Sequence, residues 1–323
     1  MSLEQQSTSV EKRQYYSSSQ GPFHSANNIY MFFGGGERGE IVESILDEIR
    51  RGDQLTTVHG ELGSGKTIMA LVLADRLKHR YNTIHYELQT LSIGMLLRHL
   101  LIEICPRQIE LLSSDMAATG ADEATIEQAT EQLFTALANP SSGNKPYVLL
   151  IDSGASVDAD SMQLIKRLSQ FQKNGQSAIR IVLFRRIEAD AARMVAGQNV
   201  INQPRHHYWL RRLTLTEINA YLRHHMMLFD FTQRDMFTSD MAYFIADRSE
   251  GVFNSINGLA KNAFSLASLE DSEKVSITHL MSADVPKPAE RVPSSFLHRH
   301  RQTVVLFIGF CLLISLAVMF TLL

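Results

Sequence analysis

Between residues 37 and 51 the apolar side chains Ile41, Ile45, Leu46 and Ile49 recur every three or four positions, the period of one helical face. Gly52 and Asp53 stop that helix. The run QLTTVHG is a short β-type segment entering a glycine-rich turn, and residues 67–77 resume a helical pattern with Ile68, Leu71, Val72 and Leu77 expected inside. A strand at 82–88, a helix at 93–104 and a helix at 123–137 follow, the last behind a polar insertion rich in Ser, Asp and Ala. The apolar strand YVLLID comes next, then a helix at 160–171, the strand AIRIVLF, a helix at 188–195 and a strand within 205–213. Strands alternating with helices predict an α/β fold with a parallel sheet covered on both faces.

From Leu215 the pattern is helical only, over 215–228, 234–249 and 253–269, which predicts a second, all-α unit. The expected organisation is a leader at 1–27, a core at 28–213, a helical lid at 214–285, a basic linker at 286–302 and a membrane helix at 303–323. The leader is polar and Ser/Gln-rich, without the succession of charged, apolar and small residues that makes a signal peptide. Residues 270–295, with Pro286, Pro288 and Pro293, read as a short tail and connector. The final stretch, TVVLFIGFCLLISLAVMFTLL, carries no charge, and about 20 apolar residues at 1.5 Å each span the hydrocarbon layer. Arg291, Arg299 and Arg301 precede it, a basic flank that marks the cytoplasmic side. The body of the chain is therefore expected in the cytoplasm, held to an inner membrane by one helix.

Composition adds limits. Of 323 residues, 45% are hydrophobic and 20% charged, the balance of a folded protein. A net charge of −3 supplies no global basic field, which weighs against nucleic acid as a partner. Only two cysteines occur, Cys105 and Cys311, and the second lies in the apolar tail, as expected of a reducing compartment.

The chemistry concentrates in one motif. Residues 60–67, GELGSGKT, satisfy G-x-x-x-x-G-K-[ST] between a predicted strand and a predicted helix, the context a phosphate loop needs. Gly60, Gly63, Ser64 and Gly65 shape a backbone that turns N–H groups inward, Lys66 reaches the β and γ phosphates, and Thr67 offers a hydroxyl to Mg²⁺. The following helix points its positive end at the anion. ATP with Mg²⁺ is the expected ligand pair, and Asp152, at the end of YVLLID, is the expected magnesium partner. The next residue is Ser153, where many such enzymes carry a Glu that activates water. A hydroxyl cannot take a proton as a carboxylate does, and a positioned base contributes about 10²–10⁴ in rate. Asp158 and Asp160 fall at the start of the next helix, where acids ordinarily cap. His206, His207, His224 and His225 lack the i,i+4 spacing of a helical zinc pair. Trp209 reads as a core anchor.

With loop, Asp and helical tail in place, residues 20–285 resemble the AAA+ ATPases of bacterial envelope assembly, the general secretion pathway protein A family and the related MSHA pilus biogenesis ATPase. Beyond the phosphate loop, the resemblance rests on Pro22-Phe23, Phe32-Phe33, YVLLID, IRIVLF, LRRLTLTEINAYLRHHM and GVFNSIN. It implies a P-loop AAA+ core of five parallel strands with a helical lid. Departures from the family pattern run in one direction. Asp-Glu-Ala becomes Asp152-Ser153-Gly154, and the polar sensor after the fourth strand becomes Arg186. In the lid, the family's Gly-x-Pro-Arg-x-Ile-Asn becomes GVFNSIN, so that Asn254 replaces the Arg that would reach the γ phosphate. Arg186 reads either as a γ-phosphate contact or as a surface residue, and Arg205 is the best match to a trans-acting finger, against its reading as an exposed strand-end charge.

Together these features predict a membrane-anchored, cytoplasmic ATP-binding protein of slow turnover, a switch or adaptor within an inner-membrane or envelope complex serving secretion or pilus assembly, and a homo-oligomer. Two alternatives stand beside it: an active ATPase powering envelope assembly as an oligomer, and a DNA-associated ATPase of the transposition type.

Overall fold

The structure, a computed structural model, describes residues 22–23, 28–88, 92–105, 123–138, 145–153, 157–173, 175–188, 206–229, 236–270, 272 and 274–283. In chain order the elements are α1 (Arg38–Arg51), β1 (Leu55–Gly60), α2 (Lys66–Leu77), β2 (Asn82–Leu88), α3 (Ile93–Ile104), α4 (Glu123–Ala138), β3 (Tyr147–Ser153) and α5 (Ala159–Gln170). They continue as β4 (Gln172–Lys173), β5 (Gln176–Ser177), β6 (Ile179–Arg186), β7 (His207–Leu210), α6 (Leu215–Leu228), α7 (Ser239–Ser249), α8 (Phe253–Leu269) and α9 (Ile277–Ser282). A 3₁₀ turn, Ile29–Met31, precedes α1.

Five strands form one parallel sheet in the order β2-β3-β6-β1-β7. Interior strand β3 is buried along its whole length, which is why residues 147–151 are continuously apolar rather than alternating. Its side chains divide by parity. Val148 and Leu150 join Val58, Val182, Phe184, Tyr208 and Leu210 against α1 and α2, through Ile41, Ile45, Met69 and Leu73. Leu149 and Ile151 join Ile181 and Leu183 on the other face, against Leu96 and Leu100 of α3, Leu133 of α4 and Leu164 and Leu168 of α5. The result is a three-layer sandwich whose strands all run their C-terminal ends to one edge. The sheet and α6 to α9 lie in one compact unit; residues 284–323 lie outside the described residues.

Several expectations shift. Within α2 the buried residues are Lys66, Met69, Ala70, Val72, Leu73 and Leu77, while Ile68 and Leu71 are half-buried, because the helix packs on β2 and β3 along a stripe one position round. The second lid helix begins at Ser239 rather than 234, fixed by the Thr238 hydroxyl accepting from the Met241 N–H. Within the stretch expected as a tail, residues 277–282 form α9, capped by Ser276 and His279 and contributing buried Leu280. Trp209 is half-buried rather than a core anchor; it stacks on His59 at 4.9 Å, and its neighbours Tyr208 and Leu210 fill the core instead. Among the described residues no helix is long and apolar enough to cross a membrane. The membrane helix expected at 303–323, the leader up to residue 21, the helix expected at 188–195 beyond its first residue, and Arg205 all lie outside the described residues.

One buried polar knot ties the sheet to α1. The Glu48 carboxyl accepts from the Thr56 hydroxyl at 2.6 Å and from the Tyr208 hydroxyl at 2.9 Å. Burial raises the Tyr208 pKa, and Glu48 raises it further, so the phenol stays a donor. Tyr208→Phe removes one donor from a buried carboxyl and is expected to lower unfolding free energy by about 1–3 kcal/mol, read by urea denaturation of the full-length protein.

Candidate functional site

Residues 60–67 turn tightly between β1 and α2 because Gly63 and Gly65 adopt φ of 77° and 93°. Gly65 is the N-cap of α2. Gly63 answers a second demand: a Cβ there would lie 2.6 Å from the Asn254 Cβ. The Asn254 N–H donates to the Gly63 carbonyl at 3.3 Å, so the first turn of α8 sits directly on the phosphate loop.

Lys66 is buried and its Nζ donates to the carbonyls of Gly60 at 3.0 Å and Glu61 at 2.8 Å. Burial lowers its pKa to about 8; Asp152 opposes that shift and Arg186 adds to it. The Thr67 hydroxyl donates to Asp152 Oδ2 at 2.5 Å, bringing the two expected magnesium ligands together from positions 85 residues apart. The Ser64 hydroxyl is buried with no hydrogen-bond partner in the loop. Two positive φ glycines, a lysine resting on its own loop, an unpaired buried hydroxyl and a paired Thr–Asp fit a magnesium triphosphate.

Parity places the remaining groups. Asp152 is the Cα partner of Glu87 on β2 and of Phe184 on β6, and Gly60 is the partner of Arg186. Alternation from Phe184 puts Arg186 on the α2 face with Asp152. Both line a cleft of about 480 Å³ shared with the phosphate loop. Ser153 follows Asp152 and so belongs to the opposite face; it is fully buried. Asp158 is taken up in capping, its Oδ1 accepting from the Ser161 N–H at 2.6 Å.

The far end of the same cleft is aromatic and polar, lined by Phe32, Phe33, Tyr221, His225, Phe253 and Asn257. The Tyr221 hydroxyl donates to Asn257 Oδ1 at 2.6 Å. His225 is buried, stacks on Phe23 at 5.0 Å, and among the described residues has no hydrogen-bond partner at either ring nitrogen. Burial, then the neighbouring His224, lowers its pKa to about 3.

Two arginines, Arg38 and Arg212, hold the cleft's walls together. Arg38 is buried and donates to the carbonyls of Ser64 at 3.3 Å, Arg211 at 2.8 Å and Gly36 at 3.0 Å, while its guanidinium lies 4.5 Å over the Phe253 ring. Burial and then Arg211 lower its pKa to about 10, which leaves it charged at neutral pH. Arg212 pairs with Glu61 of the loop at 2.7 and 2.9 Å and with Glu250 at the end of α7. Arg38 opens the amphipathic helix α1 and Arg212 lies in the polar run after β7, positions that the hydrophobic period does not single out, so their contacts reveal their roles. The structure also brings His206 beside Glu48 and Asp53, with ligand-type atoms within 4.8 Å of one another, but the Thr56 and Tyr208 hydroxyls already engage Glu48.

Residues 32–183 match the family described as the AAA ATPase domain. Among solved structures, the chain is similar to Cdc6p from Pyrobaculum aerophilum, with a TM-score of 0.56 and 11% identity over 79% of this chain and 70% of that one. It is also similar to the Aeropyrum pernix ORC1 protein in complex with DNA, at 0.51 and 16% identity over 84% and 68%. Drosophila ORC bound to DNA gives 0.51 and 13% identity over 83% of this chain and 66% of that one, so the chain spans about two thirds of that relative. No curated protein matches the chain. Fold and site thus define an α/β P-loop NTPase. The match to the AAA ATPase domain ends inside β6, so β7 and the helical bundle extend beyond it.

His225 generates a pH signature. Its folded pKa of about 3 lies below the ordinary 6.5, so on acidification the unfolded chain takes up the proton first. The stability present at neutral pH is lost as pH falls below about 6.5, amounting to roughly 2 kcal/mol by pH 5. Urea unfolding at pH 7 and pH 5 is expected to show that loss in the wild type and a shallower one in His225→Phe.

Proposed function

We propose that the protein is a nucleotide-controlled switch: it binds ATP with Mg²⁺ between the phosphate loop and the helical lid and hydrolyses it slowly. The observation that carries this is the contact of Gly63 with Asn254, because the loop that grips phosphate is also the surface on which the lid rests. A nucleotide filling the cleft draws Lys66 off the Gly60 and Glu61 carbonyls and changes the packing of loop on lid. A ligand shifts a conformational equilibrium only through contacts that differ between the states, and these contacts differ.

In the bound state the loop N–H groups and the α2 N-terminus hold the phosphates, with Lys66 on the β and γ groups. Thr67 and Asp152 hold the magnesium ion, which neutralises charge on the phosphates. The base end of the cleft stacks on Phe32, Phe33 and Phe253. Slow turnover follows from Ser153, a buried hydroxyl facing away from the cleft where a carboxylate base would be wanted. Asn254 reaches the loop by its backbone and brings no charge.

The wider setting is part of the same proposal. The uncharged run at 303–323 with its basic flank anchors the chain to the inner membrane with the ATPase domain in the cytoplasm, and the partner is a membrane-bound envelope complex of the secretion or pilus type. The switch acts as a homo-oligomer. Two of the structures similar in fold are described as bound to DNA; their identity to this chain, at 16% and 13%, carries a fold and not that ligand.

Calorimetry on the full-length protein in detergent is expected to show MgATP binding that Lys66→Ala abolishes, with turnover about 10²-fold or more below that of an ATPase carrying a Glu directly after the magnesium-binding Asp. Absence of binding at millimolar MgATP, or brisk turnover in the wild type, contradicts the switch. A specific rate that climbs steeply with protein concentration favours an oligomeric working ATPase instead.

A further inference from the structure

With Ser153 buried on the opposite face, the residual hydrolysis needs another group to accept a proton. Among the described residues, carboxylates near the cleft are few. Glu61 is occupied by Arg212, Asp158 caps α5, and Asp152 is taken by Thr67. Glu87 is different. It is exposed, it lies near the C-terminal end of β2, and it lines the cleft beside Thr67, Ile68 and Asp152.

Strand geometry fixes its direction. Tyr86 belongs to the core on the α3–α5 face, so alternation points Glu87 to the α2 face, the face of Asp152. The two residues are direct Cα partners on neighbouring parallel strands, so their backbones run about 4.8 Å apart at the edge where the phosphates lie. Lys66, Asp152 and Arg186 stand on one side of that position and solvent on the other.

We propose that Glu87 is the catalytic base of this site, orienting the attacking water beside the γ phosphate in place of a carboxylate at position 153. The inference rests on the reading that the cleft holds MgATP. The water oxygen forms a bond to the γ phosphorus, the bond from that phosphorus to the β–γ bridging oxygen breaks, and the water proton passes to the Glu87 carboxylate. ADP leaves with the bridging oxygen, and inorganic phosphate is the other product. The base thus arrives from the strand next to the magnesium-binding Asp instead of from the same strand.

The test compares full-length wild type, Glu87→Gln and Glu87→Asp in single-turnover ATP hydrolysis, with MgATP affinity measured in parallel and the nucleotide carried by the purified proteins identified. Glu87→Gln is expected to slow the chemical step by about 10²-fold while MgATP affinity stays within about threefold, and to retain ATP where the wild type retains ADP. Glu87→Asp keeps a carboxylate and is expected to fall between them. Glu87 is exposed and Gln is nearly isosteric, so the variant folds, and an unchanged melting temperature checks this. Wild-type turnover in Glu87→Gln with affinity preserved overturns the assignment. Bound ATP that the wild type never hydrolyses also overturns it while leaving the binding reading intact, whereas failure to bind MgATP sinks both.

Discussion

The methyl group that Gly63 lacks is the constraint on which the molecule turns. Nothing larger than hydrogen fits between that α carbon and Asn254. A loop built to cradle phosphate, with backbone N–H groups turned inward, is thereby also a bearing surface for α8. The phosphate loop and the first turn of α8 share the same few atoms.

Around that bearing the electrostatics are arranged by carbonyls and paired carboxylates. Arg38 collects three backbone carbonyls from the segments before α1, inside the loop and after β7, and covers Phe253 at the start of α8. Buried charge is costly unless satisfied, so each of these segments is held where its carbonyl meets the guanidinium. Arg211 makes a bidentate pair with Glu217, which also closes the capping box of α6, and this pairing lowers the Glu217 pKa to about 2. Arg212 carries the same logic to the loop through Glu61 and to the lid through Glu250. Three arginines in sequence terms thus become one joint between core and lid.

The parallel sheet explains why chemistry gathers at one edge. All five strands end there, and the period of two sends Gly60, Glu87, Asp152 and Arg186 to the same face. That period also sends Ser153 the other way, into the core shared with Ile151. Glu87 on β2 and Asp152 on β3 are neighbours because of strand order alone.

The chain's own order of residues determined the strands and helices that touch the phosphate loop, since hydrophobic period and glycine punctuation are local properties. GELGSGKT, the apolar run into Asp152 and the helical blocks after Leu215 needed no neighbour to be legible. The tertiary structure decided everything that depends on which segments meet. Arg38 and Arg212 are ordinary charges until folding surrounds them with carbonyls and carboxylates, and Trp209 looks like a core residue until edge strand β7 leaves its face half covered. Glu87 reads as a solvated strand end until the order β2-β3-β6-β1-β7 sets it beside Asp152. The physical reason is that periodicity records how a segment meets water, whereas a site is made by contacts between residues far apart along the chain.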